Sequence, residues 1–314
     1  MTVTTERQGR VMTVTLHSPP RNFQNRHLML ELDELTRAIE HDRSIGAVVI
    51  TGGHPRSFIT HYDVAEILAG AEVTPDLPPA VFGATLRAVG AIARLPGGAS
   101  LLRRSRVAGL LALWRVHRVY LRMNRMDKVF IAAINGNAAA GGCELALACD
   151  IRLMADGDLT IGLTEPVLGF NPGGGGGQRL ARAVGTARAV EMLLEAHMYS
   201  PREAAEVGLV HRVVAPERLL DEARATGARL ARRAPRAIWA SKRAVYRGFS
   251  SPWPRGFQLD KTGFVWSAVS PSVKEAMRVF LRQLETLPSE IPSPWADPKM
   301  LREWQDGTVA DFTA

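Results

Sequence analysis

Apolar runs along the first half of the chain predict short β-strands separated by helices. Residues 11–17 alternate between apolar and polar positions, as a strand with one buried face does. Residues 129–134 are apolar throughout and residues 47–51 are apolar except for Thr51, so both runs suit strands buried on both faces. A helix between the first two strands is indicated by an apolar stripe that consists of Leu28, Leu32, Leu35 and Ile39. Strands that alternate with helices indicate an α/β fold.

The second half of the chain has a different pattern, because apolar residues after about residue 185 recur mainly at helical spacing. Residues 200–203 read Ser-Pro-Arg-Glu, a capping box with proline at the first helical position. The proline-rich text beyond Leu287 predicts an irregular tail. We therefore divide the chain into a core at 1–199 with an arginine-rich insertion near 69–128, a helical region at 200–287 and a tail at 288–314.

Length and composition exclude several classes of protein. A chain of 314 residues with 46% hydrophobic content can bury a substantial core. No apolar run reaches the length of a membrane span, and the first ten residues lack the apolar stretch of a secretion signal, so we expect a cytoplasmic protein. The two cysteines, Cys143 and Cys149, make no disulfide framework, and no Cys/His cluster has metal-ligand spacing. We interpret both as small buried hydrophobic residues and expect no metal.

Residues 128–180 carry the most informative text in the chain. An apolar run leads through Asn135-Gly136 and a stretch of small residues to Gly141 and Glu144; Glu165 and five consecutive glycines at 173–177 follow. Glycines beside acids in such apolar text indicate a backbone that approaches a ligand closely. A spacing of three residues places Gly141 and Glu144 on one face of a helix, at the end where backbone N–H groups lack internal partners.

This segment resembles the core of the crotonase superfamily, the enoyl-CoA hydratase/isomerase fold. The matching positions are Asn135-Gly136, Ala140 to Leu145, Ala148 to Asp150, Glu165, Leu168-Gly169, Pro172-Gly173, Gln178 to Leu180, Gly185 and Gly208 to Val210. Weaker agreement extends from about residue 11 to about residue 284. The resemblance implies an α/β fold built as a ββα spiral, with a C-terminal helical region that packs subunits into a trimer or a dimer of trimers.

The resemblance also implies an oxyanion hole, in which two backbone N–H groups hold a thioester oxygen. Gly141 stands where the family supplies the first donor, and Tyr62 stands where a loop after Phe58 supplies the second. Here His61 replaces a glycine and Tyr62 replaces a small residue. We expect this departure to strain the backbone at His61 and to place a bulky ring beside the acyl chain. The His61 side chain we interpret as a solvated bystander, with a role as acid or base as the alternative.

Two glutamates distinguish among the reactions of the family. By resemblance, hydratases use carboxylates at the positions of Glu144 and Glu165, one to activate water for attack at Cβ and one to supply the proton at Cα. Isomerases commonly manage with one. Two acids in one site repel, so one tends to keep its proton. For each glutamate the alternative is a structural role in helix capping or a salt bridge.

Further site residues follow from the resemblance alone. Pro20, Arg21, Thr60, Asp63 and Val64 are expected to line the channel for the CoA moiety. The glycine run at 173–177 is expected to close over the acyl pocket, with a flexible turn as the alternative. CoA enters as part of the substrate, and no other cofactor is implied.

Positive charge is concentrated in the insertion. Nine of the 39 Lys and Arg residues, with a single acid, lie between residues 94 and 128, and this segment accounts for the whole net charge of +8. An apolar helical stripe runs through it, so we favour a solvated arginine face on a packed helix, made by Arg115, Arg118, Arg122 and Arg125. The alternatives are binding of the CoA phosphates and contact with a membrane surface or another acidic partner. Nucleic acid is not expected, because no recognised motif accompanies the charge.

The resemblance to the crotonase superfamily therefore predicts an enoyl-CoA hydratase that converts a 2-enoyl-CoA to a 3-hydroxyacyl-CoA. Three alternatives stay open: isomerisation of the double bond by the same site, acyl-CoA binding without turnover, and hydrolysis or ring cleavage of a larger enolisable ketone. The substitutions at His61 and Tyr62 are the reason to keep the non-catalytic alternative.

Overall fold

A computed structural model describes residues 2–105, 107–288 and 297–312 of the chain. Nine strands lie in these ranges: β1 Val3–Gln8, β2 Val11–Leu16, β3 Ala47–Gly52, β4 Ser57–Ile59, β5 Val129–Ile134, β6 Asn137–Ala139, β7 Ile151–Ala155, β8 Ile161–Gly162 and β9 Arg212–Val214. The same ranges contain fourteen α-helices: α1 Arg26–Ile39, α2 Val64–Glu72, α3 Pro79–Ile92, α4 Gly98–Arg103, α5 Ala108–Arg125, α6 Gly141–Ala148, α7 Gly176–Val184, α8 Thr186–Glu195, α9 Pro201–Glu206, α10 Leu219–Leu230, α11 Pro235–Arg243, α12 Trp253–Ala268, α13 Pro271–Thr286 and α14 Pro298–Asp306. Short 3₁₀ helices occur at η1 Glu165–Leu168 and η2 Pro216–Arg218, and a π-helical turn occurs at Ala244–Gly248. None of the helices described is both long and apolar enough to cross a membrane.

The strands form two sheets, of order β1-β2-β3-β5-β7-β9 and β4-β6-β8. β1 and β2 pair antiparallel, and the other strand pairs described are parallel. Helices cover both faces of the larger sheet, which is why β5 is apolar throughout and residues 47–50 of β3 are apolar. On β5, Ile131 faces the core beside α10, whereas Phe130 faces the core formed with α1 and α5. The predicted α/β class and the C-terminal helices are confirmed.

The insertion forms a small helical unit of its own. The residues that α3, α4 and the start of α5 bury together are Val89, Ala93, Leu102 and Leu111. The second half of α5 enters the main core through Val116, Val119, Tyr120 and Met123. α5 therefore connects the insertion to the core.

The expected solvated arginine face on α5 is wrong for two of its four members. Arg115 is 6% exposed and Arg122 is 1% exposed, and both approach the buried carboxylate of Asp33 on α1. Arg122 Nη1 lies 2.7 Å from Asp33 Oδ1, and Arg115 Nε lies 3.8 Å from Asp33 Oδ2. The packing of α1 on α5 converts half of this face into a buried ionic cluster. The same burial removes Arg115 and Arg122 as candidates for binding the CoA phosphates.

The C-terminal part differs from the prediction in two places. β9 adds a sixth strand to the larger sheet from within the region predicted to be helical. The segment predicted to be an irregular tail contains α14, which begins because Asp297 accepts hydrogen bonds from the amides of Lys299 and Met300 at 2.9 and 2.8 Å. An Asp-Pro pair at a helix start was the overlooked signal. Residues 289–296 and 313–314 of the predicted tail lie outside the described residues.

α6 is buried along its whole length, which holds its first turn rigidly against the rest of the core. Cys143 on α6 and Cys149 just after it are both free and buried. Burial raises the pKa of both thiols, so they stay protonated and unreactive at neutral pH. This agrees with their interpretation as small hydrophobic residues.

Candidate active site

A cavity of about 430 Å³ opens where the first turn of α6 meets the loop before α2. The four residues predicted to act in catalysis line it: Gly141, Glu144, Glu165 and Tyr62. They come from three separate parts of the chain, which the fold brings together at this point.

Two backbone N–H groups at the cavity are free to bind a ligand. Gly141 is the first residue of α6, so its N–H has no partner within the helix. In the described part of the chain, neither this group nor Tyr62 N–H donates to a protein acceptor. A Cβ on Gly141 would lie 3.1 Å from Tyr62 N and 2.6 Å from Gln24 Oε1, so the two amides are neighbours and a side chain at Gly141 would fill the space between them. An oxygen that gains negative charge can accept from both.

The backbone before α6 is strained at Ala140, the residue that directly precedes the Gly141 amide. Ala140, its N-cap, has φ of 48° and ψ of −117°, in the half of conformational space that favours glycine. Such outliers persist where the surrounding structure enforces them, and they concentrate at functional sites.

A short pairing of residue 24 with the loop before α2 holds the second amide in place. Gln24 N donates to His61 O at 2.8 Å, and Asp63 N donates to Gln24 O at 2.7 Å. His61 is not among the non-glycine residues with positive φ, so the strain expected there is absent and that expectation was wrong. Its ring stacks on Phe23 with centroids 4.5 Å apart, and His61 Nδ1 lies 2.7 Å from Tyr62 O. The imidazole therefore supports the loop instead of standing free in solvent.

The Tyr62 side chain forms part of the cavity wall. Its hydroxyl donates to Glu66 Oε2 at 3.0 Å, and Arg26 Nε lies 3.6 Å from the same oxygen. Burial, followed by the charge of Glu66, raises the pKa of Tyr62 above its ordinary value, so the phenol stays a donor. The bulky ring predicted beside the acyl chain is therefore fixed in the cavity wall by its hydrogen bond to Glu66.

Glu144 is buried on α6 and held by backbone amides. Gly174 N donates to its two carboxylate oxygens at 2.7 and 2.9 Å, and Gly176 N donates to Oε1 at 2.8 Å. Burial and then the charge of Glu165 raise the pKa of Glu144 to about 7, against the lowering effect of the two amides. Near neutral pH this carboxyl can therefore take up or release a proton.

The glycine run has a role that the sequence did not reveal. Gly173 and Gly174 line the cavity, and the amides of Gly174 and Gly176 position Glu144. A Cβ on Gly174 would lie 2.5 Å from Glu144 Oε2, and one on Gly176 would lie 2.9 Å from Oε1. Glycine is required at both positions because the backbone must approach the carboxylate this closely.

Glu165 faces the same cavity from the first turn of η1. The side chain is buried, and Oε2 has no hydrogen-bond partner among the described residues. Burial raises the pKa of Glu165, and the nearby amides of Thr164 and Glu165 itself oppose this in part. A buried, unpaired carboxyl oxygen is unfavourable unless a proton or a ligand satisfies it, so Glu165 is available to a bound molecule.

The five residues predicted for the CoA channel are not brought together at the cavity. Val64 lines it, and the other four do not. Asp63 caps α2 by accepting an amide of the first turn at 2.9 Å. Thr60 donates its hydroxyl to the carbonyl of Arg21, and Pro20 and Arg21 are exposed. Asp63 and Thr60 thus have structural contacts that account for their side chains.

Gln24 is a further cavity residue that sequence reasoning missed. Its Nε2 donates to Tyr120 OH at 3.0 Å, and its Oε1 stands beside Gly141. This contact joins α5 of the insertion to the pair of free amides. A single polar residue in irregular text carries no signal by which the sequence could have indicated it.

Comparison with known proteins agrees with this geometry. The family model for enoyl-CoA hydratase/isomerase matches residues 112–288. A short-chain-enoyl-CoA hydratase of Clostridium acetobutylicum is 30% identical over 279 residues, which cover 88% of this chain and 94% of that protein. A probable enoyl-CoA hydratase of Rhizobium meliloti is 33% identical over 281 residues, 89% of this chain and 95% of that protein. The crystal structure of an enoyl-CoA hydratase from Geobacillus kaustophilus matches with a TM-score of 0.73 at 25% identity, and the matched region covers 90% of this chain and 94% of that chain. The chain belongs to the enoyl-CoA hydratase/isomerase family, the crotonase superfamily.

Proposed function

We propose that the protein is an enoyl-CoA hydratase that adds water across the double bond of a 2-enoyl-CoA to give a 3-hydroxyacyl-CoA. The observation that supports this most directly is that two buried carboxyls, Glu144 and Glu165, line the same cavity as the free amides of Gly141 and Tyr62. Hydration needs both an acid and a base at adjacent carbons, together with stabilisation of the thioester oxygen.

The thioester oxygen is assigned to the amides of Gly141 and Tyr62. As water adds at Cβ, negative charge moves onto this oxygen. Two N–H groups and the positive end of α6 then stabilise the enolate more than the ground-state carbonyl. Because both amides are held in place before substrate binds, little reorganisation is needed during the reaction.

The two acids are assigned by their hydrogen bonds. Two amide N–H groups donate to Glu144, one of them to both oxygens, and these bonds favour its ionised form, so it takes the proton of the attacking water. Glu165 has an oxygen with no hydrogen-bond partner among the described residues, so the proton that is donated to Cα is assigned to this oxygen. The hydroxyl bonds to Cβ, and transfer of a proton from Glu144 to Glu165 restores the site. Since the two carboxylates repel, the pair is expected to hold about one proton near neutral pH.

The proposed reaction transfers no electrons between substrate and enzyme, so it calls for no redox cofactor, and CoA takes part as the thioester of the substrate. Assembly into a trimer or a dimer of trimers, a cytoplasmic location and the domain division at residue 199 stay predictions. The arginines Arg118 and Arg125 are the members of the α5 face that stay accessible to an acidic partner.

The test is turnover of a 2-enoyl-CoA by the purified protein. Absorbance of the conjugated thioester is expected to fall, and mass spectrometry is expected to show a product heavier by one water. Supplying a 3-enoyl-CoA in parallel tests the isomerase alternative, which predicts a rise in the same absorbance. Tight acyl-CoA binding with no turnover of either substrate would replace the proposal with the non-catalytic alternative.

Gly174→Ala is expected to lower hydratase kcat by about 10²-fold, because the new methyl group displaces the Glu144 carboxylate by roughly an ångström. The matched control is Gly177→Ala on the same glycine run. A Cβ there meets only Leu193 Cδ1 at 3.5 Å, an ordinary contact. Steady-state kinetics of the two variants check this, and equal kcat values would show that the run does not position Glu144.

A further inference from the structure

Beyond the two acids, the cavity continues between α2 and α5 as an apolar channel, which we call the groove. Its walls are Val64, Ile67 and Ala71 from α2, and Leu110, Leu113 and Val116 from α5. α5 lies within the arginine-rich insertion near residues 69–128, so the insertion supplies one wall of the groove.

The length of the groove follows from the two helices. Val64 and Ala71 are about two helical turns apart on α2, and Leu110 and Val116 nearly as far apart on α5, so each wall is about 10 Å long. One end lies at the site, because Tyr62 precedes α2 and Tyr120 of α5 bonds to Gln24. At the other end the helices meet, where a Cβ on Gly109 would lie 3.9 Å from Gly70 Cα.

Among the residues that the structure describes, the groove offers no free cation to a polar acyl terminus. Arg26 lines the cavity, but it already pairs with Glu66, which also accepts from Tyr62 OH. A carboxylate at the end of an acyl chain would lose its hydration here without gaining a partner. An alkyl terminus would instead contact aliphatic side chains from both helices.

We infer that the site, acting as the proposed hydratase, selects an apolar acyl chain on the order of ten carbons over a crotonyl group and over a chain that ends in a carboxylate. An extended chain advances about 1.2 Å per bond, a third of the reach of one extended residue. A groove of about 10 Å therefore takes about eight carbons beyond those that react.

Each methylene that enters the groove is expected to improve kcat/KM by about two- to fourfold. Complete burial of a methylene corresponds to about fourfold. The lower figure reflects the partial exposure of the α2 wall, where Val64 is 39% exposed and Ile67 is 36% exposed. The gain stops when the chain reaches the contact between Gly70 and Gly109.

The experiment measures kcat/KM for 2-enoyl-CoA esters of four to fourteen carbons, and Kd by calorimetry for saturated acyl-CoA esters of the same lengths. Both are expected to improve up to about ten carbons and then level off. A six-carbon ester with a terminal carboxylate is expected to bind at least tenfold more weakly than the six-carbon alkyl ester. A Kd that stays constant or rises with chain length from four carbons overturns the inference, and so does preference for the carboxylate.

Two alanines of α2 supply a matched pair of variants. Ala71→Leu places a side chain in the groove and is expected to lower the ratio of kcat/KM for ten carbons to that for four carbons at least tenfold. Ala69→Leu adds the same group on the same helix outside the cavity lining, and should leave the ratio unchanged. Equal ratios in the two variants would overturn the inference.

The binding series separates failure of this inference from failure of the proposed function. If no ester is hydrated but Kd still improves with length and Ala71→Leu removes that improvement, the groove is supported and the hydratase proposal fails. If crotonyl-CoA is hydrated but Kd and kcat/KM do not change with length, the hydratase proposal stands and the groove is overturned.

Discussion

Glu144→Gln is expected to lower hydratase kcat by about 10²-fold or more with the fold intact. Gln is nearly the same shape, and its amide oxygen can accept the bonds that Gly174 N and Gly176 N now donate to Glu144 Oε1. The side chain thus stays in place but can no longer accept the proton of the attacking water. Steady-state kinetics with a 2-enoyl-CoA measure the loss, and near wild-type turnover would remove Glu144 from its assigned role.

The pH dependence of stability provides a check that Glu144→Gln acts on chemistry and not on folding. The folded-state pKa of Glu144 is raised from 4.5 to about 7, so its stabilising contribution is fully present below about pH 4.5 and is lost as pH rises through about 7. Glutamine does not titrate, so the Glu144→Gln variant does not lose stability in this way as the pH rises. Its Tm relative to wild type is therefore expected to be higher at pH 8 than at pH 4.5. Glu195→Gln, at an exposed position on α8, is the control and should change neither turnover nor this difference.

Asp33→Ala is expected to lower the free energy of unfolding by about 3–5 kcal/mol. Asp33 is fully buried and is approached by Arg115 and Arg122 of α5 and by Arg37 of its own helix. Without the carboxylate, two buried guanidinium groups lose their nearest anion, and Glu40 at 3.5 Å is left as the other acid beside Arg122. Urea unfolding measures the change.

Two further variants test whether buried charge is the cause. Glu34→Ala changes an exposed acid next in sequence on α1 and is expected to alter stability by no more than about 0.5 kcal/mol. Arg122→Met in the Asp33→Ala background removes one unpaired buried charge and should restore part of the lost free energy of unfolding. A loss below about 1 kcal/mol for Asp33→Ala would contradict the buried cluster and favour the solvated arginine face.

The parts of the protein that were predictable are those encoded by neighbouring residues. β5 and residues 47–50 of β3 were evident because a strand buried on both faces carries a continuous apolar run. Gly141 and Glu144 were identifiable because one helical turn separates them, and Glu165 lies in the same informative segment. Predictions were wrong where the partner of a residue is distant in sequence, as Asp33 is from the buried arginines of α5. They were also wrong where a helix-start signal was overlooked, as at Asp297.

The sequence by itself therefore determined the α/β class, the family and the two candidate acids, since periodicity and contiguous motifs report what lies within a few residues. Only the tertiary structure decided that Gly174 and Gly176 hold Glu144, that Gln24 pairs with the loop that carries Tyr62 N, and that Asp33 buries two arginines. These contacts join segments that are far apart along the chain. Their geometry depends on how helices and sheets pack, which no local pattern of side chains specifies.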